Sequence, residues 1–421
     1  MMLINPLCKI ILLLGAFMAC LVISLNGQVR TNTPEEQFLR IHEKALTVDT
    51  HCDTPMNMLE RGTDIGIRNT NGKVDLIRMK EGGLDAIFFA VFTGQEARNE
   101  TNYNHVYRLA HRMIDTTLAA VNRNREIAGI ALTSQDAVRL EKEGKRAVYL
   151  GMENGFPLAK DLSRIREFYN KGIRYITLCH SYNNDICDSS TDPAGAEHNG
   201  LSSFGRQVVL EMNRTGMIVD VSHISDKSLR DVLSISLAPV IASHSSVRAI
   251  AHHKRNLPDE LIRALAKKGG VVQVCLLGEY VKDPDTTSVL YRKELEMRKL
   301  YREKWNEMSE AEKDQFREER NRLRKQQEEL LPGVKEYVDH IDHIVRIAGI
   351  NHVGIGSDFD GGGGLSDCRD VSQFPSITRE LLNRGYSEKD IMKIWGGNFF
   401  RVFRKVEETA RKISGYDIIE P

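Results

Sequence analysis

The side chains suited to chemistry stand far apart in this chain. His51 and Asp53 are two residues apart in the segment VDTHCD, and Glu153, His180, His223, His244 and Asp358 follow at long intervals. Residues i and i+2 of an extended segment project to the same side, so His51 and Asp53 can reach one ion. Imidazole and carboxylate are ordinary zinc ligands, and hydrolytic two-metal centres hold their ions about 3.5 to 4 Å apart, close enough for one carboxylate to touch both. That makes His51 and Asp53 candidate ligands of one ion, His223 and His244 of a second, and Glu153 the candidate bridge. Taken singly, each has a plainer role: a His-x-Asp pair can cap a helix, Glu153 can bond the loop before Asn154-Gly155, and His223 can be a satisfied core histidine. Cys52 alternates away from its two neighbours and reads as a packing residue, while His252 and His253 read as surface residues.

Elements must bring these residues together. Eight short β-branched or aliphatic runs occur at residues 46–48, 85–92, 147–152, 174–178, 217–221, 240–242, 271–276 and 352–355. Between them, segments such as 105–127, 203–214 and 259–268 carry apolar residues at helical spacing, and that alternation implies a parallel sheet. Runs apolar throughout imply strands covered on both faces. The count suits a closed (β/α)₈ barrel of the TIM type, although a doubly wound open sheet gives similar periodicity. The polar residues favour the barrel. They follow different runs, and a barrel collects the C-terminal ends of its strands on one face. Residues 283–332 depart from the alternation: they are densely charged, lack a strand pattern and close on Pro332-Gly333. They read as one or two exposed helices inserted before the last strand, with a lid or a homodimer contact as the sharper alternative.

Composition narrows the partners. Lys plus Arg and Asp plus Glu number 58 each in 421 residues, giving zero formal net charge. This excludes a basic nucleic-acid binder and suits a small uncharged or zwitterionic partner. With 41% hydrophobic and 28% charged residues, the chain is of the folded, globular class. Residues 10–25 are an uncharged apolar run after Lys9, short for a membrane span, with Asn26-Gly27-Gln28 following. They read as a signal peptide ending near residue 27, so the expected organisation is export to the periplasm or exterior and one catalytic barrel domain over 28–421. Membrane attachment through the N-terminal segment is the alternative. Five cysteines remain beyond that segment, an odd number without a CxxC pair, which makes no disulfide framework.

Several motifs resemble one family. Residues 48–55 (VDTHCDTP), 175–184 (YITLCHSYNN), 200–223 (GLSSFGRQVVLEMNRTGMIVDVSH), 239–246 (PVIASHSS), 255–258 (RNLP) and 353–361 (VGIGSDFDG) are similar, in order, to the membrane (renal) dipeptidase family. The resemblance runs from the first strand to Gly397-Asn398-Phe399. It implies a zinc-dependent barrel of the amidohydrolase type that cleaves dipeptides, often with a D-residue at the C-terminal position, and in some members opens β-lactams. It implies the same five ligands for two Zn²⁺ ions, His51, Asp53, Glu153 as bridge, His223 and His244. It further implies that His180 contacts the scissile carbonyl, Arg255 holds the substrate carboxylate and Asp358 handles the proton. Cys52 stands where the family has Asn, and Asn154 where it has Gly.

The mechanism these roles suggest uses a metal-bridging hydroxide as nucleophile, Asp358 as proton carrier with Asp360 as runner-up, His180 and a zinc at the developing oxyanion, and Arg255 as the clamp that limits cleavage to short peptides. Gly361 to Gly364 are expected to form a mobile loop beside Asp358. The rival is a related two-metal amidohydrolase acting on another amide or lactam bond, which needs no carboxylate clamp. A non-catalytic barrel is the other, and it would be expected to have lost a ligand.

Overall fold

The computed structural model describes residues 34–305 and 307–415, so the expected signal segment lies outside the described residues. The fold lies in the compact unit Leu39–Pro421. Among the described residues the sheet has nine parallel strands: β1 (Val48–Cys52), β2 (Ala86–Phe92), β3 (Ala128–Ile130), β4 (Arg146–Glu153), β5 (Ile173–Thr177), β6 (Ile218–Asp220), β7 (Ile241–Ala242), β8 (Val271–Cys275) and β9 (Val353–Gly356). Their order is β1-β2-β4-β5-β6-β7-β8-β9, a nearly closed eight-strand barrel, with β3 paired to β4 off that path. The Asp358 N–H donates to the His51 carbonyl at 3.0 Å and the Asp53 N–H to the Phe359 carbonyl at 2.8 Å, which draws the end of β1 against the chain leaving β9.

All eight expected runs overlap a barrel strand, and two features differ. The ninth strand, β3, is only Ala-Gly-Ile and flanks the first half of β4 before β5 takes over the second half. Three residues, one of them glycine, give no periodic signal. The first strand also lies further along than 46–48, reaching Cys52 and so carrying His51 itself. Its polar residues are buried and bonded inside the barrel: Asp49 accepts from the Ser357 N–H and hydroxyl, and the Thr50 hydroxyl donates to the Ser243 carbonyl. A bulge between Asp49 and Cys52, and another between Leu150 and Gly151, adjust the pairing on the strands that carry His51 and Glu153.

The lower end of the barrel is filled. Val48, Ala86, Ala147, Ile218, Ile241 and Val271, near the strand starts, pack with Phe88, Tyr149 and Tyr175 against Phe399, Phe400 and Phe403 of the helix Asn398–Ile413. Between β8 and β9 the charged insertion forms the helices Val289–Lys304 and Glu310–Gln327. Their own apolar contact is Phe316 against Tyr301 and Trp305, with Lys313 and Arg317 over the Trp305 ring. Among the described residues no helix is long and apolar enough to cross a membrane.

Candidate metal centre

At the upper end of the barrel the predicted ligands converge. His51 arrives on the penultimate residue of β1 and Glu153 on the last of β4, and Asp53, His223, His244 and Asp358 on the turns that leave β1, β6, β7 and β9. Glu153 is central. Its Oε1 lies 3.0 Å from His223 Nε2, 3.4 Å from His244 Nε2 and 3.8 Å from His180 Nε2, while its Oε2 lies 3.4 Å from His51 Nε2. His51 Nε2 is also 3.6 Å from Asp53 Oδ2 and 4.0 Å from Asp358 Oδ1.

Three sets of donors close enough to share an ion emerge: His51 with Glu153 and His244, Glu153 with His180 and His223, and His51 with Asp53 and Asp358. Glu153 belongs to two of them, the position of a bridge. The sets divide the histidines differently from the sequence reading, placing His180 beside His223 and His244 beside His51, although His223 Nε2 and His244 Nε2 stand only 2.9 Å apart. The donor set fits cations. His51 Nε2 and Asp53 Oδ1 are buried without a hydrogen-bond partner, an arrangement that costs free energy unless an ion satisfies it. A side chain at Gly361 would collide with Asp53 Oδ2 at 2.2 Å and Asp358 Oδ1 at 2.6 Å, so glycine there keeps the pocket open.

The electrostatics separate the carboxylates. Burial alone would raise Glu153, but His51 first and the adjoining rings of His223 and His244 hold it well below the usual carboxylate range. Burial, then Glu153, pushes Asp53 up to about 6. Asp358 is raised well above the ordinary range by burial first and by Asp53 second. Burial depresses His223 and His244, which keeps their rings neutral as ligands must be.

His223 and Asp358 both have positive φ, 71° and 57°, a conformation uncommon outside glycine that here turns each side chain inward from the end of its strand. Asn154, with φ 75°, explains the exchange with Gly noted above, because Asn tolerates the left-handed region. Asp360 is not free for proton work: it accepts from the Thr54 hydroxyl at 2.6 Å and the Lys73 N–H at 2.8 Å. The glycine run expected as a mobile loop is a tight turn in which the N–H groups of Gly361, Gly362 and Gly363 all donate to the Asp358 carbonyl. Cys52 is buried with its thiol raised by that burial, His252 is exposed and bonds Asp283, and His253 is half-buried against the Tyr280 ring rather than on the surface.

His180 and Arg255 flank the ligands. The His180 ring packs 4.2 Å from that of His223 and is the most exposed imidazole of the cluster. Arg255 is 3% exposed; its guanidinium donates to the His244 carbonyl at 3.0 Å and to the Ser245 hydroxyl at 3.2 Å, and lies over the Tyr280 ring. Its Nε has no partner, and no carboxylate pairs with it among the described residues. Sequence reasoning missed Tyr175, whose hydroxyl meets His51 Nδ1 at 2.8 Å, and Asp220. A carboxylate inside the apolar run MIVDV was the available signal for the latter.

Residues 35–417 match the model of the family described as membrane dipeptidase, peptidase family M19. Dipeptidase tcpJ of Claviceps purpurea is 32% identical over 350 residues, 82% of this chain and 72% of that protein. Dipeptidase 3 of Mus musculus is 31% identical over 394 residues, 91% of this chain and 69% of that protein. The crystal structure of the probable dipeptidase PvdM from Pseudomonas aeruginosa superposes with a TM-score of 0.77 at 30% identity, covering 90% of this chain and 99% of that one.

Proposed function

The chain belongs to the membrane dipeptidase family of metallopeptidases, and from that premise we propose that it is a two-zinc enzyme cleaving dipeptides that carry a free C-terminal carboxylate. The observation that carries the substrate class is Arg255. A buried guanidinium tied to the backbone of a candidate ligand, with no carboxylate of its own, is a receptor for an anion supplied from outside. Placed so near the metal centre, it accommodates one residue beyond the scissile bond. A D-residue at that position keeps the carboxylate in the clamp and changes only where its side chain points, so we include such substrates.

His51, Asp53, Glu153, His223 and His244 would hold the ions. Zinc bound there would supply Lewis-acid polarisation of the carbonyl and an activated water, whose pKa such a metal lowers to about 7. Asp358 takes up the proton released from that water and hands it to the leaving amine. His180, whose Nδ1 lies 3.1 Å from the Ser181 hydroxyl, would serve the developing charge on the carbonyl oxygen in the tautomer that carries hydrogen on Nε2. Residues 1–27 direct export in this proposal, and the partner is a small peptide.

Replacing Arg255 by Met is expected to raise KM for dipeptides about 10- to 100-fold, the loss of a charge-assisted pair, with little change for the same dipeptides amidated at the C-terminus. An unchanged KM, or tripeptides cleaved as readily as dipeptides, would favour the related amidohydrolase acting on another amide or lactam bond.

A further inference from the structure

We infer that Asp220 is a positioning residue of the metal centre, acting through the Ser243 hydroxyl on His244; this rests on the assignment of His244 as a metal ligand. Asp220 ends β6 and is completely buried. Its Oδ1 accepts from the Ser222 and Ser243 N–H groups at 3.1 and 2.8 Å, and its Oδ2 accepts from the hydroxyls of Thr177 and Ser243 at 2.5 and 2.7 Å. No Lys, Arg or His pairs with it among the described residues, so its surroundings are hydrogen-bond donors alone.

The direction of those bonds fixes a tautomer two links away. An ionised carboxylate accepts only, so the single hydroxyl proton of Ser243 is committed to Asp220. Ser243 Oγ also stands 2.8 Å from His244 Nδ1, and with its proton committed it can only accept there. His244 Nδ1 therefore carries hydrogen, and Nε2 presents a lone pair toward Glu153 Oε1 and His223 Nε2. A lone pair aimed at a carboxylate oxygen is repelled unless a cation lies between them. The relay thus makes His244 a ligand in advance, and the negative charge behind it raises the basicity of Nε2.

The other two imidazoles lack this support. His51 Nδ1 meets the Tyr175 phenol, and His223 Nδ1 has no partner. Ligand positioning by a charge is concentrated on His244, so disturbing Asp220 should weaken one ion and spare the other.

The test needs no turnover. Ring-nitrogen NMR of the metal-free, ¹⁵N-histidine-labelled protein reads the tautomer, and Zn²⁺ titration by calorimetry reads both affinities. Wild type is expected to show His244 protonated at Nδ1. Asp220→Asn frees the Ser243 proton for Nδ1, so His244 should move toward the Nε2–H form, and one of two zinc equivalents should bind 10- to 100-fold more weakly. Ser243→Ala, which leaves Asp220 three of its four donors, should weaken the same equivalent if Asp220→Asn fails to fold. Ser243→Thr, keeping the hydroxyl, should restore it. Wild-type zinc affinity in Ser243→Ala, or an unaltered His244 tautomer in a folded Asp220→Asn protein, overturns the inference. Two tight equivalents in His244→Ala would instead overturn the ligand assignment on which it stands.

Discussion

Glu153 and Asp358 both approach His51 Nε2, at 3.4 and 4.0 Å, yet their surroundings drive them apart. Three imidazoles hold Glu153 as an anion, whereas burial and the neighbouring Asp53 favour a proton on Asp358. One is fitted to stay charged and the other to carry a proton, the usual division of labour between paired carboxylates. Asp358→Asn is therefore expected to lower kcat by about 10²- to 10⁴-fold while zinc content by elemental analysis stays at the wild-type level. Loss of zinc in that variant would make Asp358 a ligand instead. Glu153→Gln should lose metal and activity together. The candidate ligands that converge were legible because each is a polar residue at or just past the end of an apolar run. Tyr175 and Asp220 were not, since a tyrosine or a lone carboxylate inside such a run looks like part of the strand until its partner across the barrel is known.

Among the elements, β4 and β5 show how backbone sets side-chain position. A Cβ on Gly151 would fall 2.0 Å from the Tyr175 ring, which lies over that strand on its way to His51. Gly151→Ala is expected to cost about 1 to 3 kcal/mol by overpacking and to loosen zinc as Tyr175 shifts; thermal melting and zinc titration report the two effects. The helix Val334–Ala348 clips the chain around the Arg255 segment. His340 Nδ1 accepts from the Val247 N–H at 3.0 Å and its Nε2 donates to the Val281 carbonyl at 2.8 Å, an arrangement that only the neutral ring can make. Burial holds this imidazole down at about 4, against the opposing influence of its hydrogen bond to the Val281 carbonyl and, after it, of Asp339. Between pH 6.5 and 4 the unfolded chain binds a proton there and the native one does not. Stability from His340 is thus complete above pH 6.5 and falls as the pH drops, by about 2 kcal/mol at pH 5. Urea titrations at pH 7 and pH 5 should show a loss about 2 kcal/mol smaller in His340→Gln, whose amide can offer the same acceptor and donor, than in wild type. The barrel strands were legible from their apolar runs, while β3 and the glycine contacts were not, because three residues have no period and an absent side chain leaves no pattern.

For the whole molecule, the charged insertion stood out by composition and is a helical excursion before the last strand, while the barrel followed from counting runs and seeing where polar residues fall. Zinc binding should also be visible as stability. Ions that bind only the folded centre contribute about 2.7 kcal/mol at a hundredfold excess over Kd, so chelation should lower Tm and added zinc should restore it. The phenylalanines of the helix Asn398–Ile413 stop the barrel from below. With the lower end filled, peptide, departing amino acids and exchanging metal are expected to share the upper end, where His180 is the most exposed imidazole of the cluster, and whichever is inside delays the rest. A poorly cleaved dipeptide should for that reason slow the stripping of zinc by a chelator, an occupancy effect set by traffic and independent of how tightly each ion is held.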